Sequence, residues 1–178
     1  MTNNPLQLAV KPVSNNPLNP PLLRWKMLLG VILILSFLLT TFTIIHAETV
    51  VVHANVVWEM TDVVAQEGMV LRWEVDKNDL WNCNPQLFPS GHTADGIPVN
   101  ALKDYVLPDQ PIGMLIGRFG DCGRLFPMGT SGSIHIRPSE DGEFLYLTMN
   151  DDTIGLYGKG FKDNEGKLIV TINQTRKE

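Results

Sequence analysis

The chain has 178 residues, 44% of them hydrophobic, with 19 acids against 14 lysines and arginines and a formal net charge of −5. That length holds one ordinary domain plus a targeting segment. The charge is unevenly spread: residues 1–47 carry Lys11, Arg24 and Lys26 and no acid, and everything after them sums to about −8. A domain that acidic repels phosphate backbones, so nucleic acid is excluded as a natural partner and cations or neutral polar ligands fit better.

Residues 1–22 are rich in Asn and Pro and show no periodicity, which predicts a disordered cytoplasmic leader. Residues 23–47 contain an uncharged block from Met27 to Ile45. Its length is close to the ~20 apolar residues that cross a bilayer as a helix. Arg24 and Lys26 stand directly before the block and the acids come after it. By the positive-inside bias, the segment then carries the C-terminal domain to the periplasm, the cell exterior or an outward-facing anchored position. Ala47, after Ile45-His46, can end a cleavable signal peptide, or the segment can stay as a transmembrane anchor. The two cysteines, Cys83 and Cys122, both fall in the exported part. An oxidising compartment permits a disulfide between them, and two free thiols are the alternative. Without a CxxC spacing or a matched histidine pair they make a poor zinc site.

From Glu48 to the C-terminus the pattern is strands separated by turn residues. Thr49–Trp58 is β-branched and aromatic, and Met69–Val75 alternates, with Met69, Leu71, Trp73 and Val75 on one face. Ile112–Phe119 and Arg124–Met128 read as a hairpin around Gly120-Asp121-Cys122-Gly123. Ser133–Arg137 places Ile134 and Ile136 inward, Glu143–Asn150 follows the turn Glu140-Asp141-Gly142, and Lys167–Asn173 is the last strand. Short strands with Gly, Pro, Asn and Asp between them, and no helical repeat, predict an all-β, antiparallel β-sandwich. Asn82–Gln110 is a long loop rich in turn formers, and a loop of that length in a compact domain is often functional.

Asn150-Asp151-Asp152 at one strand end and Asp163-Asn164-Glu165-Gly166 at the next strand start are the most informative residues. If those strands are neighbours, the oxygens converge at one rim. Calcium takes about six to eight oxygen ligands from carboxylates, amides and backbone carbonyls, which these residue types supply. Turns use the same residues for local hydrogen bonding, so composition alone leaves a plain loop open.

The run Gly113–Gly120 (GMLIGRFG) resembles a signature of the galactophilic PA-I-like bacterial lectins. So do Phe126–Gly129, Gly142–Leu147, Asn150–Asp152 and Asp163–Ile172, in that order, while Trp58 and the Glu67-Gly68 turn resemble the start of the same domain. The resemblance implies a jelly-roll sandwich and, for the lectins proper, a calcium ion that contacts a galactose-type sugar directly. Carried across by motif, Asp151, Asp163 and Asn164 match calcium ligands. Backbone carbonyls near Asn84 and near Leu156-Tyr157 complete the implied set. Asp152 and His92 are the sugar-contacting neighbours this reading supplies, and Trp81, in the early loop, is the candidate for an exposed platform on which a sugar ring stacks. The chain departs from the family in two places. The loop between Asp152 and Asp163 is longer and brings in Lys159 and Lys162, and the His-Pro-x-Gln sugar element has only Gly91–Gly96 as a counterpart.

Enzymatic readings find little support. Asp151 and Asp152 are sequence neighbours that point to opposite faces of an extended chain, a poor glycosidase pair. No serine sits in a G-x-S-x-G context, and the Gly155, Gly158, Gly160 cluster lacks a third phosphate-loop glycine because Asp163 takes its place. Trp58 and Trp73 read as core, and His135 as surface. The expectation is therefore a non-catalytic, calcium-dependent carbohydrate-binding module. Its alternative is a structural or protein-interaction sandwich at the cell surface without sugar binding.

Overall fold

A computed structural model describes residues 47–176. The leader and the Met27–Ile45 segment lie outside the described residues, and among those described no helix is long and apolar enough to cross a membrane.

Among the described residues nine strands form: β1 (Ala47–His53), β2 (Glu59–Val64), β3 (Met69–Val75), β4 (Trp81–Asn82), β5 (Leu115–Phe119), β6 (Leu125–Pro127), β7 (Ser131–His135), β8 (Phe144–Met149) and β9 (Glu165–Arg176). One sheet runs β1-β9-β3-β7, with the two-residue β4 attached to β9, and the other runs β2-β8-β5-β6. Every pairing is antiparallel. With β4 set aside, the chain winds 1-8-3-6 in one sheet and 2-7-4-5 in the other, which is the double Greek key of a jelly roll.

Alternation explains how the sheets face each other. Val50 and Val52 of β1, Leu71, Trp73 and Val75 of β3, and Leu168, Val170 and Ile172 of β9 are buried from one sheet. Val63, Leu115, Phe119, Leu145, Leu147 and Met149 meet them from the other. Each such side chain contributes roughly 1.5–3 kcal/mol of transfer free energy on burial, so this interlayer core dominates stability. Trp73 satisfies its indole N–H on the Met128 carbonyl at 3.0 Å.

The first predicted strand, Thr49–Trp58, ends early: β1 stops at His53 and residues 54–58 are a turn. The chain turns at Ala54-Asn55, where Val56 N–H donates to the His53 carbonyl, and β2 begins only at Glu59. β2 itself slips register against β8 between Met60 and Val64. There the Thr61 hydroxyl donates to the Leu145 carbonyl and accepts from Val63 N–H, replacing ladder bonds the irregularity removes. Trp58, expected in the core, is instead only partly buried, with the Arg118 guanidinium 4.0 Å from its ring centroid. Arg118 also faces Tyr146 at 5.3 Å, so the three form a cation–π stack. Cys83 is buried beside the β4 end, whereas Cys122 is exposed at the β5–β6 turn, at the opposite end of β5; both thiols are free.

Candidate functional site

The rim where β8 ends and β9 begins gathers the loops. β9 pairs with β4 through Trp81–Gly166 and Asn82–Glu165, which brings the start of the 82–110 loop against the Asp163-Asn164 turn. Asn150, at the end of β8, is fully buried and staples that long loop: its Oδ1 accepts from Leu107 N–H, and its Nδ2 lies against the carbonyls of Leu107, Gln110 and Pro111. The long loop is therefore ordered by side-chain bonds and isolated bridges such as Asn100–Pro111 and Tyr105–Asp152 rather than by a sheet.

Within this frame Asp151 and Asn164 come together. Asp151 is 6% exposed and Asn164 is 5% exposed, yet Asp151 Oδ2 and Asn164 Oδ1 have no hydrogen-bond partner. Asn164 Nδ2 is committed elsewhere, to the Ala54 carbonyl at 3.1 Å and the Met149 sulfur at 3.4 Å. Leaving a buried acceptor unpaired costs about 1–3 kcal/mol, more for a charged one. Burial pushes the Asp151 carboxyl above its ordinary range, and the Asp152 and Asp163 charges add to that rise. The Asp152 N–H, 2.7 Å from Asp151 Oδ1, and the Asn164 side chain pull the other way without reversing it. Cys83 lies in the same field: burial first, then Asp151 and Asp163, push its thiol up to about 11. That sulfur is a protonated neighbour at neutral pH, not a thiolate.

Asp152 is occupied differently. Its Oδ1 accepts from Ile154 and Gly155 N–H at 2.9 and 3.0 Å, and its Oδ2 accepts from Tyr157 N–H at 2.7 Å. Burial alone would raise this carboxyl, but those amides outweigh it and hold it below the usual range. Asp152 thus organises the long 153–162 loop from within. Gly160 closes the loop at φ 55, where a Cβ would collide with the Asp152 carbonyl.

A cleft of about 230 Å³ is lined by Asp151 and Asp163, the neighbours of Asn164. Asp151, Asp152, Asp163, Asn84, Cys83 and Lys159 supply its polar lining. Tyr105 and Tyr157 stack at one side, centroids 5.9 Å apart, and the acids nearby help burial push Tyr105 up to about 12. Lys162 faces a neighbouring hollow with Asn55 and Val57, so only Lys159 of the two loop lysines lines the cleft.

Two sequence candidates, Trp81 and His92, take other roles. Trp81 is 1% exposed and donates its indole N–H to the Gly113 carbonyl at 2.9 Å, so it is core and offers no platform. The reason is β4: pairing with β9 turns that residue inward. His92 is buried, accepts from Cys83 N–H at Nε2 (3.2 Å) and bonds the Thr93 carbonyl at Nδ1 (3.1 Å). Both ring nitrogens are used, burial lowers its pKa, and it does not line the cleft. The Asn84 carbonyl already accepts from Leu87 and Phe88 N–H, and the Tyr157 N–H is held by Asp152.

Among the described residues no three His, Cys, Asp or Glu side chains converge as a metal-binding group. The donor set here is two carboxylates and an amide with nearby backbone carbonyls, all hard oxygens, a set that suits calcium better than zinc. Sequence reasoning missed Cys83, Tyr105 and the aliphatic lining of the cleft, because nothing in a turn-rich loop reveals which of its side chains fold inward.

No family model and no curated protein matches this chain. Among solved structures it is similar to the EclA N-terminal domain, described as a PllA-like lectin, at 20% identity and a TM-score of 0.44, over 71% of this chain and 95% of that one.

Proposed function

We propose that the domain binds a calcium ion between Asp151, Asp163 and Asn164 and uses it to hold a carbohydrate. The observation that carries this reading is the pair of buried, unpartnered acceptors, Asp151 Oδ2 and Asn164 Oδ1, the first of them on a residue that lines an open cleft. A cation would satisfy both at once, turning a destabilising arrangement into a favourable one. Asp163 adds a second carboxylate and a carbonyl near Tyr157 is a further oxygen in the same cleft lining, whereas the Asn84 carbonyl would have to share its oxygen with the Leu87 and Phe88 N–H groups. Asp151, Asp163 and Asn164 would hold the ion, and a bound calcium would supply open positions for the hydroxyl oxygens of a vicinal diol. The chain's own residues shape and orient that ligand and carry no bond-breaking step, so the module is non-catalytic. Export by the N-terminal segment, with the domain outside the cytoplasm, supplies the millimolar calcium such a site needs and a glycan-rich surroundings.

Thermal unfolding of the purified chain with calcium, with magnesium and with chelator tests the reading. Ligand at about 100 times its dissociation constant adds roughly 2.7 kcal/mol, a rise of several degrees in Tm. A calcium-specific rise that Asp151→Ala abolishes supports the site. No shift across millimolar calcium sinks it.

A second reading rests on Lys159, whose presence in the cleft lining lets an ammonium offset Asp151 in place of a metal. The domain is then a structural or protein-interaction sandwich. On that reading Lys159→Met destabilises the protein; on the calcium reading it leaves stability unchanged or tightens calcium binding.

A further inference from the structure

Beside the cleft lies a second, larger hollow of about 580 Å³, and Gly158, Lys159 and Gly160 form a wall that the two share. The hollow reverses the charge of its neighbour. Asp151, Asp152 and Asp163 line the cleft, whereas among the described residues the ionisable side chains lining the hollow are Lys159 and Lys162 alone. An acid-free lining with two ammonium groups is an exception in a domain that sums to about −8. Neither lysine is ion-paired among the described residues. Asp152, at the start of the same loop, gives both oxygens to the N–H groups of Ile154, Gly155 and Tyr157.

The shared wall is largely backbone. Among the described residues the N–H groups of Gly158 and Lys159 donate to no protein group, while the preceding Tyr157 N–H is held by Asp152. Gly158 is also a glycine that the fold does not call for. Its φ lies outside the left-handed region, and a Cβ added to it would meet nothing within 4 Å. It is alone in this among the described glycines: every other one either has a positive φ or would drive a Cβ into a neighbour. Close approach of a ligand to the backbone is the use of glycine that remains. Two ammonium groups and free N–H donors, with no carboxylate in the lining, make a receptor for an oxyanion. The acidic domain repels anions at long range, so such a ligand needs a local patch of this kind to be held at all.

We propose that the hollow receives the oxyanion of an acidic saccharide, a carboxylate or a sulfate ester, whose diol sits in the cleft across the 158–160 wall. Seating of the diol rests on the calcium reading, whereas the place of the anion rests on Lys159, Lys162 and the wall.

Titration calorimetry on the full chain in saturating calcium tests this with methyl β-galactoside and two acidic counterparts, methyl β-galactosiduronate and methyl β-galactoside 6-sulfate. At least one acidic probe binds about tenfold more tightly than the neutral one, the order expected of two exposed ion pairs at the upper end of their range. The tighter of the two identifies the group. Lys162 is exposed and lines the hollow but not the cleft, so its loss is tolerated by the fold. Lys162→Gln removes one pair of the two: the preference falls to about threefold while methyl β-galactoside affinity stays unchanged. Equal affinity for all three probes, or weaker binding of the acidic ones, overturns the proposal and leaves the calcium reading intact. A preference that Lys162→Gln does not reduce overturns the hollow as the place of the anion. A preference that persists in chelator and falls in Lys162→Gln keeps the hollow and overturns the calcium reading. Absence of binding by all three probes overturns the acidic-saccharide assignment, and the calcium-dependent rise in Tm still decides the calcium reading.

Discussion

Asp151 has no good protonation state in the ion-free protein. Ionised, it is a buried charge with one oxygen unpaired; protonated, it gives up the charge a cation needs. Its raised pKa means the native state holds its proton after the unfolded chain has lost its own. Stability from this group is therefore lost as pH rises from the ordinary 3.8 through the native value. Asp151→Asn removes the charge and supplies an N–H₂ that can pair with a neighbouring acceptor. The expected outcome is an ion-free variant about 1–3 kcal/mol more stable than the parent at pH 7. That gain shrinks in acid, and calcium no longer raises Tm. Denaturant unfolding at pH 7 and pH 4, with and without calcium, checks all three parts. A less stable variant at pH 7 means that the carboxylate is serving the fold and not a ligand.

His92 shows the opposite sense. Burial lowers its pKa, so the unfolded chain takes up a proton first, and stability falls as pH drops below the ordinary 6.5. His92→Gln can keep one hydrogen bond without titrating. It should flatten the stability profile between about pH 7 and pH 5 relative to the parent, measured as the urea midpoint against pH. A variant profile parallel to the parent's assigns that slope to other groups.

At the scale of elements, the 153–162 loop stands or falls with one carboxylate. Three backbone N–H groups converge on Asp152, and Gly155 at φ 72 and Gly160 at φ 55 let the chain close around it. Because its pKa is lowered, its contribution is complete above the ordinary 3.8 and is lost as pH falls through the native value. Asp152→Ala should leave the sheets folded but open the loop to protease at 154–159, with a global cost of about 1–2 kcal/mol. Limited proteolysis with mass mapping reads this directly; an uncut loop means that other contacts, such as the Tyr105–Tyr157 stack, suffice.

The elements also show what the sequence could and could not reveal. Met69–Val75 was legible to the residue, because both its faces have a period of two and its partners β7 and β9 leave one face to solvent. Glu143–Asn150 and Lys167–Asn173 were legible for the same reason, although β9 runs further, from Glu165 to Arg176. β2 was not, since Glu59-Met60-Thr61-Asp62 breaks the apolar alternation where the register slips. The placement of Asp151 and Asn164 at one rim was legible from their positions at strand ends. The burial of Trp81 and His92 was not: it follows from β4 pairing with β9, a two-residue contact across more than eighty positions of chain, which no local pattern encodes.

At the scale of the whole molecule, stability and binding sit in different places, and that separation can be measured. The sheets are closed by a core that reaches from β1 through β9 to β3, and the amide of Val170, between two partner strands, should exchange only on global unfolding. The rim is held by side-chain bonds to single carboxylates and amides, so the amides of Ile154, Gly155 and Tyr157 should exchange through local opening at much lower free energy. Calcium at about 100 times its dissociation constant slows any amide that needs the ion to leave by about 100-fold. Val170 must slow by that factor if calcium binds the native state at all. The loop amides slow equally only if loop opening also breaks the site, as it does when a carbonyl near Tyr157 is a ligand. Slowing at Val170 with unchanged exchange at Gly155 places the ion on Asp151, Asp163 and Asn164 without help from the loop. Unchanged exchange at both positions removes the calcium site and leaves Asp151 as a buried carboxylate with one oxygen unpaired.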